Sequence, residues 1–451
     1  MAVFEISKGR DLKIKGMAQA RIVERALPPK VALVPANFRN VKFSLAAKEG
    51  DQVKVGSLLL VDKAHPQIKF VSPASGTLAA INRGAKRVLL SLVIETDGRQ
   101  EAVFFKKFVR EETERASREQ ILEHLLAGGC FPLIRQRPFS KIANPQDVPK
   151  SIFVHAMNSE PLALDIDFIL ADKEQEFQTG LDILRKLTTG KVHLCFSPRA
   201  KSRALTQAQG VDKHQFAGPH PAGNVSTHIH CVDPIKKGDV VWYIEAQDVV
   251  RIAKLFINGS YSPEQIVAVT GEGVDPAQRT YARTVQGAPL KSLMEGHPKE
   301  GLRYISGSVL TGTTVGRDGY LGIYDSQISV IPEGGKRYFL GWLTPGFSAY
   351  SFSKRFASSF LPEQEASLTT DKQGSDRAIV LNHIYDDYVP LDIMTFFLMR
   401  ALMAGEIEEA EKLGILECDE EDFALCSFAC PSKTNVGLII RNGLDLIEKE
   451  G

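Results

Sequence analysis

The stretch from Lys48 to Gly84, KEGDQVKVGSLLLVDKAHPQIKFVSPASGTLAAINRG, restricts the fold more than any other part of the chain. Gly50-Asp51 and Gly56 punctuate two short apolar runs, and Ser72-Pro73 with Gly76 turns the backbone before a third run, Thr77 to Ile81. Strands this short bury too little surface to stand alone, so they must close on one another as a small sandwich or barrel. Ser91 to Glu95 reads as the last strand, ended by the turn Thr96-Asp97-Gly98-Arg99. Residues 1–47, broken by Gly9, Gly16, Pro28, Pro29 and Pro35, read as extended segments that join the same sandwich.

The turn residues Gly50, Asp51, Val53, Gly56, Pro73 and Gly76 resemble those of the barrel-sandwich hybrid domains that carry biotin or lipoate. A carrier presents a modifiable lysine at a hairpin tip, and Lys63 sits near that place. His65-Pro66-Gln67 lengthens the tip, however, and Leu60-Val61 stand where acidic residues are expected. A solvated turn lysine is therefore preferred, with lipoylation the hypothesis to test.

At 451 residues the chain is longer than one growing core supports, and several domains are expected. Its 55 basic and 54 acidic residues leave a net charge of +1, which provides no field to draw nucleic acid. No apolar run approaches the ~18–20 residues needed to cross a bilayer, and MAVFEISKGR has no apolar export segment. A cytoplasmic location is the default expectation. Six cysteines, sparse for the length, fit a reduced compartment better than a disulfide framework.

Beyond the sandwich the hydrophobic period changes. Ile121, Leu122 and Leu125 predict a surface helix over Glu111 to Leu126, stopped by Gly128-Gly129. Ile152 to Val154 and Val192 to Phe196 read as buried strands with a helix, Gln175 to Leu187, between them, which is the signature of a doubly wound α/β domain. No G-x-G-x-x-G turn follows any of these strands. Glycines crowd 301–341, where Leu302 to Ile305, Tyr320 to Tyr324 and Gln327 to Ile331 predict a small sheet; Gly307 to Thr314 lacks the lysine of a phosphate loop. Residues 363–377 read as an exposed loop or linker, and Asp392 to Ala404 as an apolar helix buried in a C-terminal domain in preference to a membrane lid.

Three constellations bear on chemistry. His214, His220, His228 and His230 lie in one short span; on a strand, His228 and His230 would share a face, and His220 could complete a metal site, against the alternative of hydrogen-bonded loop clamps. Cys418, Cys426 and Cys430-Pro431 lack any C-x-x-C spacing, and three thiols fall short of the four ligands an iron–sulfur cluster takes. The third, Phe131 to Lys141, interleaves Phe131 and Phe139 with Arg135, Arg137 and Lys141. Such a surface could stack a planar head group and polarise its carbonyls, as a quinone needs; the alternative is a loop whose aromatics anchor it to the α/β domain.

The segments KGRDL (Lys8 to Leu12), SPASGTLAAINRGAKRVL, RPFSK, GPHPAGNVSTHIH, PLDI (Pro390 to Ile393), EEDFALCSFACPSK (Glu420 to Lys433) and the final IEKEG together resemble the family formed by the A subunit of the sodium-translocating NADH:quinone oxidoreductase. The resemblance covers nearly the whole chain. It implies a peripheral subunit on the cytoplasmic face of the bacterial inner membrane, working with five other subunits that pass electrons from NADH to ubiquinone and export sodium. It further implies no cofactor in this chain, with flavins and iron–sulfur centres in the partner subunits, NAD as substrate of the complex, and ubiquinone as the candidate ligand of Phe131 to Lys141 and of Val31 to Arg39. Cys426 and Cys430 then resemble the remnant of a lost cluster motif. The expected architecture is a mixed α/β multidomain chain: a barrel-sandwich hybrid domain (1–104), a Rossmann-like α/β domain (105–256), a β-grasp domain (257–345) and a C-terminal helical domain (346–451). A free-standing flavin or iron–sulfur oxidoreductase is the alternative.

Overall fold

The short strands around Lys48 to Gly84 close on one another as two antiparallel sheets. Lys30–Leu33, Leu89–Thr96, Gly76–Arg83 and Gln52–Val53 form one, and Phe43–Leu45, Leu58–Asp62 and Lys69–Val71 the other. Their inward residues, among them Val31, Leu60, Phe70, Leu78 and Ile94, are fully buried or nearly so. Gly76 is obligatory at its position: at φ +147°, a Cβ would lie 2.0 Å from the carbonyl oxygen of Glu95. Lys63 stands exposed between Leu58–Asp62 and Lys69–Val71, its amide donating to the carbonyl of Lys42 at 2.7 Å.

This computed structural model describes residues 2–294, 300–335, 339–347, 349–362, 364–380 and 383–450. Met1, Gly451 of the IEKEG motif, and parts of the 301–341 and 363–377 stretches lie outside them.

The first 24 residues depart from the expectation that residues 1–47 join the sandwich. Ala2–Glu5 runs parallel to Asp212–Ala217 in a seven-stranded sheet, and Gln19–Glu24 runs parallel to Thr280–Val285 in a six-stranded one. Extended segments satisfy their backbone groups at whatever sheet edge they reach, and nothing local in the sequence specifies which edge that is.

In the seven-stranded sheet Asp212–Ala217, Lys191–Phe196, Ser151–Ala156 and Val241–Glu245 lie side by side and parallel, in that order, with Arg135–Arg137 antiparallel beside the last. Every residue of Ser151–Ala156 is buried, as a strand covered on both faces must be. Helices Glu174–Arg185 and Ala246–Asn258 cover one face with Phe177, Leu181, Val249 and Phe256; helix Val225–Val232 covers the other with Val225 and Ile229 against Phe153, Phe216 and Tyr243. The expected helix over Glu111 to Leu126 is two, Arg110–Arg115 and Arg118–Ala127. The break falls where Ser117 caps the second, its hydroxyl accepting from the amide of Gln120.

The glycine-rich region contributes Leu302–Ser306 and Gln327–Pro332 to the six-stranded sheet, beside Glu264–Thr270. Tyr320 to Tyr324 is not the expected strand. Gly319 precedes it and Gly322 lies within it, only Tyr320 makes an isolated bridge, to Pro289, and the chain turns back at Gly322 to Asp325. Helices Thr395–Ala404, Ile407–Lys412, Ala424–Ala429 and Val436–Glu450 pack around Tyr385, Leu398, Phe423 and Ile440; the helix expected over Asp392 to Ala404 begins at Thr395 and is buried on one face only, through Phe396, Leu398, Met399 and Ala401, while Phe397 and Met403 are exposed. Among the described residues no helix is long and apolar enough to cross a membrane.

Candidate functional site

Parallel strands aim their carboxyl ends at one edge of the sheet, where a ligand meets the loops that follow. At that edge His155, next to the end of Ser151–Ala156, is the register partner of Glu245, which ends Val241–Glu245. His155 Nδ1 lies 2.7 Å from Glu245 Oε2, its Nε2 is hydrogen-bonded to the carbonyl of Gly223, and Glu245 Oε1 accepts from Arg135 Nη2 at 3.1 Å. Burial lowers the His155 pKa, but the Glu245 carboxylate outweighs it and leaves the imidazole above its ordinary range. Glu245 responds the other way: burial raises it, and His155 with Arg135 holds it below the usual carboxylate value.

The Arg135 guanidinium lies between two rings, 4.5 Å from the centroid of Tyr243 and 4.5 Å from that of Tyr324. Stacking on both faces, with a carboxylate at the edge, fixes a planar cation in one orientation. Beyond it opens a cleft of about 1430 Å³ between the parallel sheet, the 303–331 region and the C-terminal helices. Arg39, Arg135, Lys141, His155 and Glu421 face it together with apolar groups such as Ile142 and Phe352.

A second cluster closes the wall. Asp419, at the start of a short acidic turn, is met by Arg137 Nη2 at 3.3 Å, Arg441 Nη1 at 3.3 Å and Arg39 Nη1 at 3.8 Å. Arg39 also grips Glu420 through both of its terminal nitrogens, and Arg137 Nη2 reaches Glu421 at 2.9 Å. Burial would raise the Asp419 pKa; Arg137, Arg39 and Arg441 together hold it well below the carboxylate range. Glu421 is shifted upward, by burial first, with Arg137 opposing and the charges of Asp419 and Asp422 adding to the rise.

Of the five residues in the 131–141 segment, Arg135 and Lys141 face the cleft. Phe131 is fully buried, edge-on to Trp242 at 5.8 Å; Arg137 is 1% exposed beneath the acidic turn; Phe139 packs against the C-terminal core. The rings that stack on Arg135 are thus Tyr243 and Tyr324, supplied from elsewhere in the chain. Lys141 pairs with Glu448 and lies 5.6 Å from the Phe139 ring centroid. From Val31 to Arg39, Asn37 and Arg39 reach the same cleft.

The histidine cluster is arranged differently from the strand reading. Asn224 precedes a helix, Val225–Val232, and two residues apart on a helix are turned ~200° from each other, so His228 and His230 face opposite ways. His228 is hydrogen-bonded to the carbonyl of Ala222 (3.1 Å), His230 meets Glu417 (2.7 Å), and His220 meets Ser159 (3.0 Å). These are loop clamps. Among the described residues no group of three or more His, Cys, Asp or Glu side chains is placed to hold a metal ion. Cys418, Cys426 and Cys430 lie in the C-terminal core: the Cys418 thiol donates to the carbonyl of Gly414, the Cys426 thiol to that of Tyr385, and Cys430 Sγ lies 3.0 Å from the Tyr385 hydroxyl.

Sequence reasoning passes over His155, Tyr243, Glu245, Tyr324 and Asp419 as site residues. The rule that ligands lie at carboxyl ends of parallel strands could have singled out His155 and Glu245, and the acidic run from Asp419 to Asp422 is visible in the C-terminal motif. Tyr324 has no local signal.

A sandwich of two small sheets, a largely parallel seven-stranded sheet, a mixed six-stranded sheet and a helical unit, with a cleft bounded by the last three, define a mixed α/β multidomain protein. Residues 4–97 match the family described as the NqrA N-terminal barrel-sandwich hybrid domain, 116–261 the NqrA second alpha/beta domain and 266–317 the NQRA C-terminal domain. A relative from Yersinia pseudotuberculosis serotype O:1b, named as the A subunit of the Na(+)-translocating NADH-quinone reductase, is 42% identical over 451 residues, 100% of each chain. The relative of the same name from Pasteurella multocida is 42% identical over 448 residues, 99% of each, and that from Hahella chejuensis 42% over 452 residues, 100% of each. The chain belongs to the NqrA family of Na(+)-translocating NADH-quinone reductase subunits.

Proposed function

We propose that this chain is the peripheral, quinone-handling subunit of a sodium-exporting NADH:ubiquinone reductase, held with five other subunits at the cytoplasmic face of a bacterial inner membrane. NADH oxidation, the flavins and the iron–sulfur centres belong to the partners, and the isolated chain has no turnover of its own. The reading is carried by one observation: Asn37 and Arg39 from one segment, and Arg135 and Lys141 from another about a hundred residues on, meet at a single cleft beside the carboxyl ends of the parallel strands.

The cleft's chemistry suits a quinone. Arg135, clamped by Tyr243, Tyr324 and Glu245, offers a fixed cation to a carbonyl oxygen that gains charge on reduction. Quinone takes up two electrons, which the partner subunits supply, and two protons to become quinol. His155 and Glu421, both shifted upward, are groups at the cleft wall able to hold protons near neutral pH. Apolar groups such as Ile142 and Phe352 accommodate the ring and the start of its tail.

The same reading divides the chain at 1–104, 105–256, 257–345 and 346–451, with the second unit Rossmann-like and the third β-grasp. The order of the five parallel strands, with helices on both faces, supports the former, and the mixed six-stranded sheet supports the latter. The test uses the assembled complex. Arg135→Gln is expected to lower kcat/KM for ubiquinone about tenfold or more, the worth of a hydrogen bond to a charged group, while NADH oxidation by an artificial acceptor is unchanged. Unchanged quinone kinetics remove the cleft as the site, and a tagged chain that leaves gently solubilised membranes without companions removes the reading of this chain as part of a complex.

A further inference from the structure

Between Glu333 and Glu363 the sequence contains no acidic residue, four basic ones (Lys336, Arg337, Lys354 and Arg355) and eight aromatic ones. A stretch so rich in rings would ordinarily be core. Here Phe339 is 92% exposed, Phe360 90%, Phe347 66% and Leu343 60%, and Lys354 and Arg355 are exposed beside them. Large apolar groups gathered in one stretch of a water-soluble surface mark a place that something covers.

Charge decides what that is. Cytoplasmic loops of membrane proteins carry an excess of Lys and Arg, so an embedded protein partner would meet this segment with like charge. Anionic lipid headgroups meet it with opposite charge. Aromatic rings interleaved with Lys and Arg are also the composition that settles at the boundary between headgroups and acyl chains. The centre of the segment is tied down: Phe352 packs tilted against Tyr388 and edge-to-face with Phe428, each at 5.2 Å between centroids, and carries the Arg10 guanidinium at 4.5 Å. Tyr350, Phe352 and Arg355 line the cleft as well.

We propose that residues 339–347 and 349–361 form a bilayer-interface anchor, in which Phe339, Phe347 and Phe360 enter the headgroup region and Lys354 and Arg355 pair with anionic lipid phosphates. The anchor places the cleft's edge against the membrane, from which a ligand with a long apolar tail enters without crossing water. Only that consequence rests on the quinone reading; lipid binding is measured without quinone, so the two fail separately.

The full-length chain is sedimented with phosphatidylcholine vesicles that contain or lack phosphatidylglycerol. The expected result is binding to the anionic vesicles that weakens with added salt, and falls about tenfold or more in Lys354→Glu/Arg355→Glu and in Phe347→Ser/Phe360→Ser. Circular dichroism of both double variants is expected to match the parent, since all four side chains are exposed. No sedimentation, or sedimentation that is equal on both vesicle types and unaltered in both variants, overturns the proposal. So does a parent chain that ignores vesicles while the same variants lose assembly with the membrane subunits in detergent, because the surface then takes a protein.

Discussion

Replacing Asp419 by Asn removes one charge from the point where three arginines converge. Arg137 and Arg441 each lie 3.3 Å from its carboxylate and Arg39 lies at 3.8 Å, and the Asp419 side chain is 6% exposed. Asparagine keeps the shape and one acceptor, but Arg137, itself 1% exposed, is left with Glu421 as its ion-pair partner, a carboxyl that burial inclines to stay protonated near neutral pH. Breaking one member of a buried ion pair typically costs about 3–5 kcal/mol, because the other charge stays buried. With a urea dependence of ~3 kcal/mol per molar, the helical unit that carries Asp419 is expected to unfold about 1–2 M earlier. Urea titration followed by far-ultraviolet circular dichroism at neutral pH measures this. The folded-state pKa of Asp419 lies below the ~3.9 of an unfolded aspartate. Its contribution is therefore complete above that value and disappears as pH falls through the folded value, so parent and variant converge in strong acid. An unchanged urea midpoint at neutral pH, or a deficit that persists undiminished in strong acid, refutes the reasoning. Adding Arg137→Met to the variant is expected to recover part of the loss, since the stranded charge goes with it.

Glu421 should show the opposite pH sense. Its raised pKa means stability is fully present below the ~4.3 of an unfolded glutamate and is lost as pH rises through the folded value, so thermal melts of Glu421→Gln should gain on the parent across that window; parallel curves would count against it. At Gly9, φ is +120° and a Cβ would sit 2.1 Å from the carbonyl oxygen of His220, so Gly9→Ala is expected to cost about 1–3 kcal/mol in a denaturation experiment, and a neutral result would mean that the KGRDL and GPHPAG segments do not meet as described. Lys63 lies in a hairpin turn with nothing to mark it for modification, and the intact mass of the purified chain should equal that of the unmodified polypeptide; an added lipoyl mass would restore the carrier reading.

What is legible in the sequence is local. Gly50, Gly56 and Gly76 announce turns that only glycine enters easily, and the apolar runs at Ile152 and Val192 announce buried strands. The helix at Val225–Val232 reads as a strand because its histidines alternate, although Asn224 before it is a residue type common at helix starts; here its side chain donates to Asp422 and caps nothing. Tyr320 to Tyr324 misleads because Gly322 in its middle, with Gly319 before it, permits a turn as readily as a strand. The site is half legible: Arg135 and Lys141 stand out for their chemistry and do face the cleft, whereas Phe131, which suggests a stacking surface, is core.

By itself the sequence determined where the backbone turns, which runs are buried and, through whole-length similarity, the family. Those are consequences of dihedral preference and hydrophobic period, which act within a few residues. Only the tertiary structure decided that Ala2–Glu5 and Gln19–Glu24 would complete distant sheets, that Tyr243 and Tyr324 would hold Arg135, and that Arg39 would reach Glu420, 381 residues away. Such pairings depend on which surfaces the packed core brings within a few ångströms of each other, and a charge or a ring has no means of naming its partner until that packing is complete.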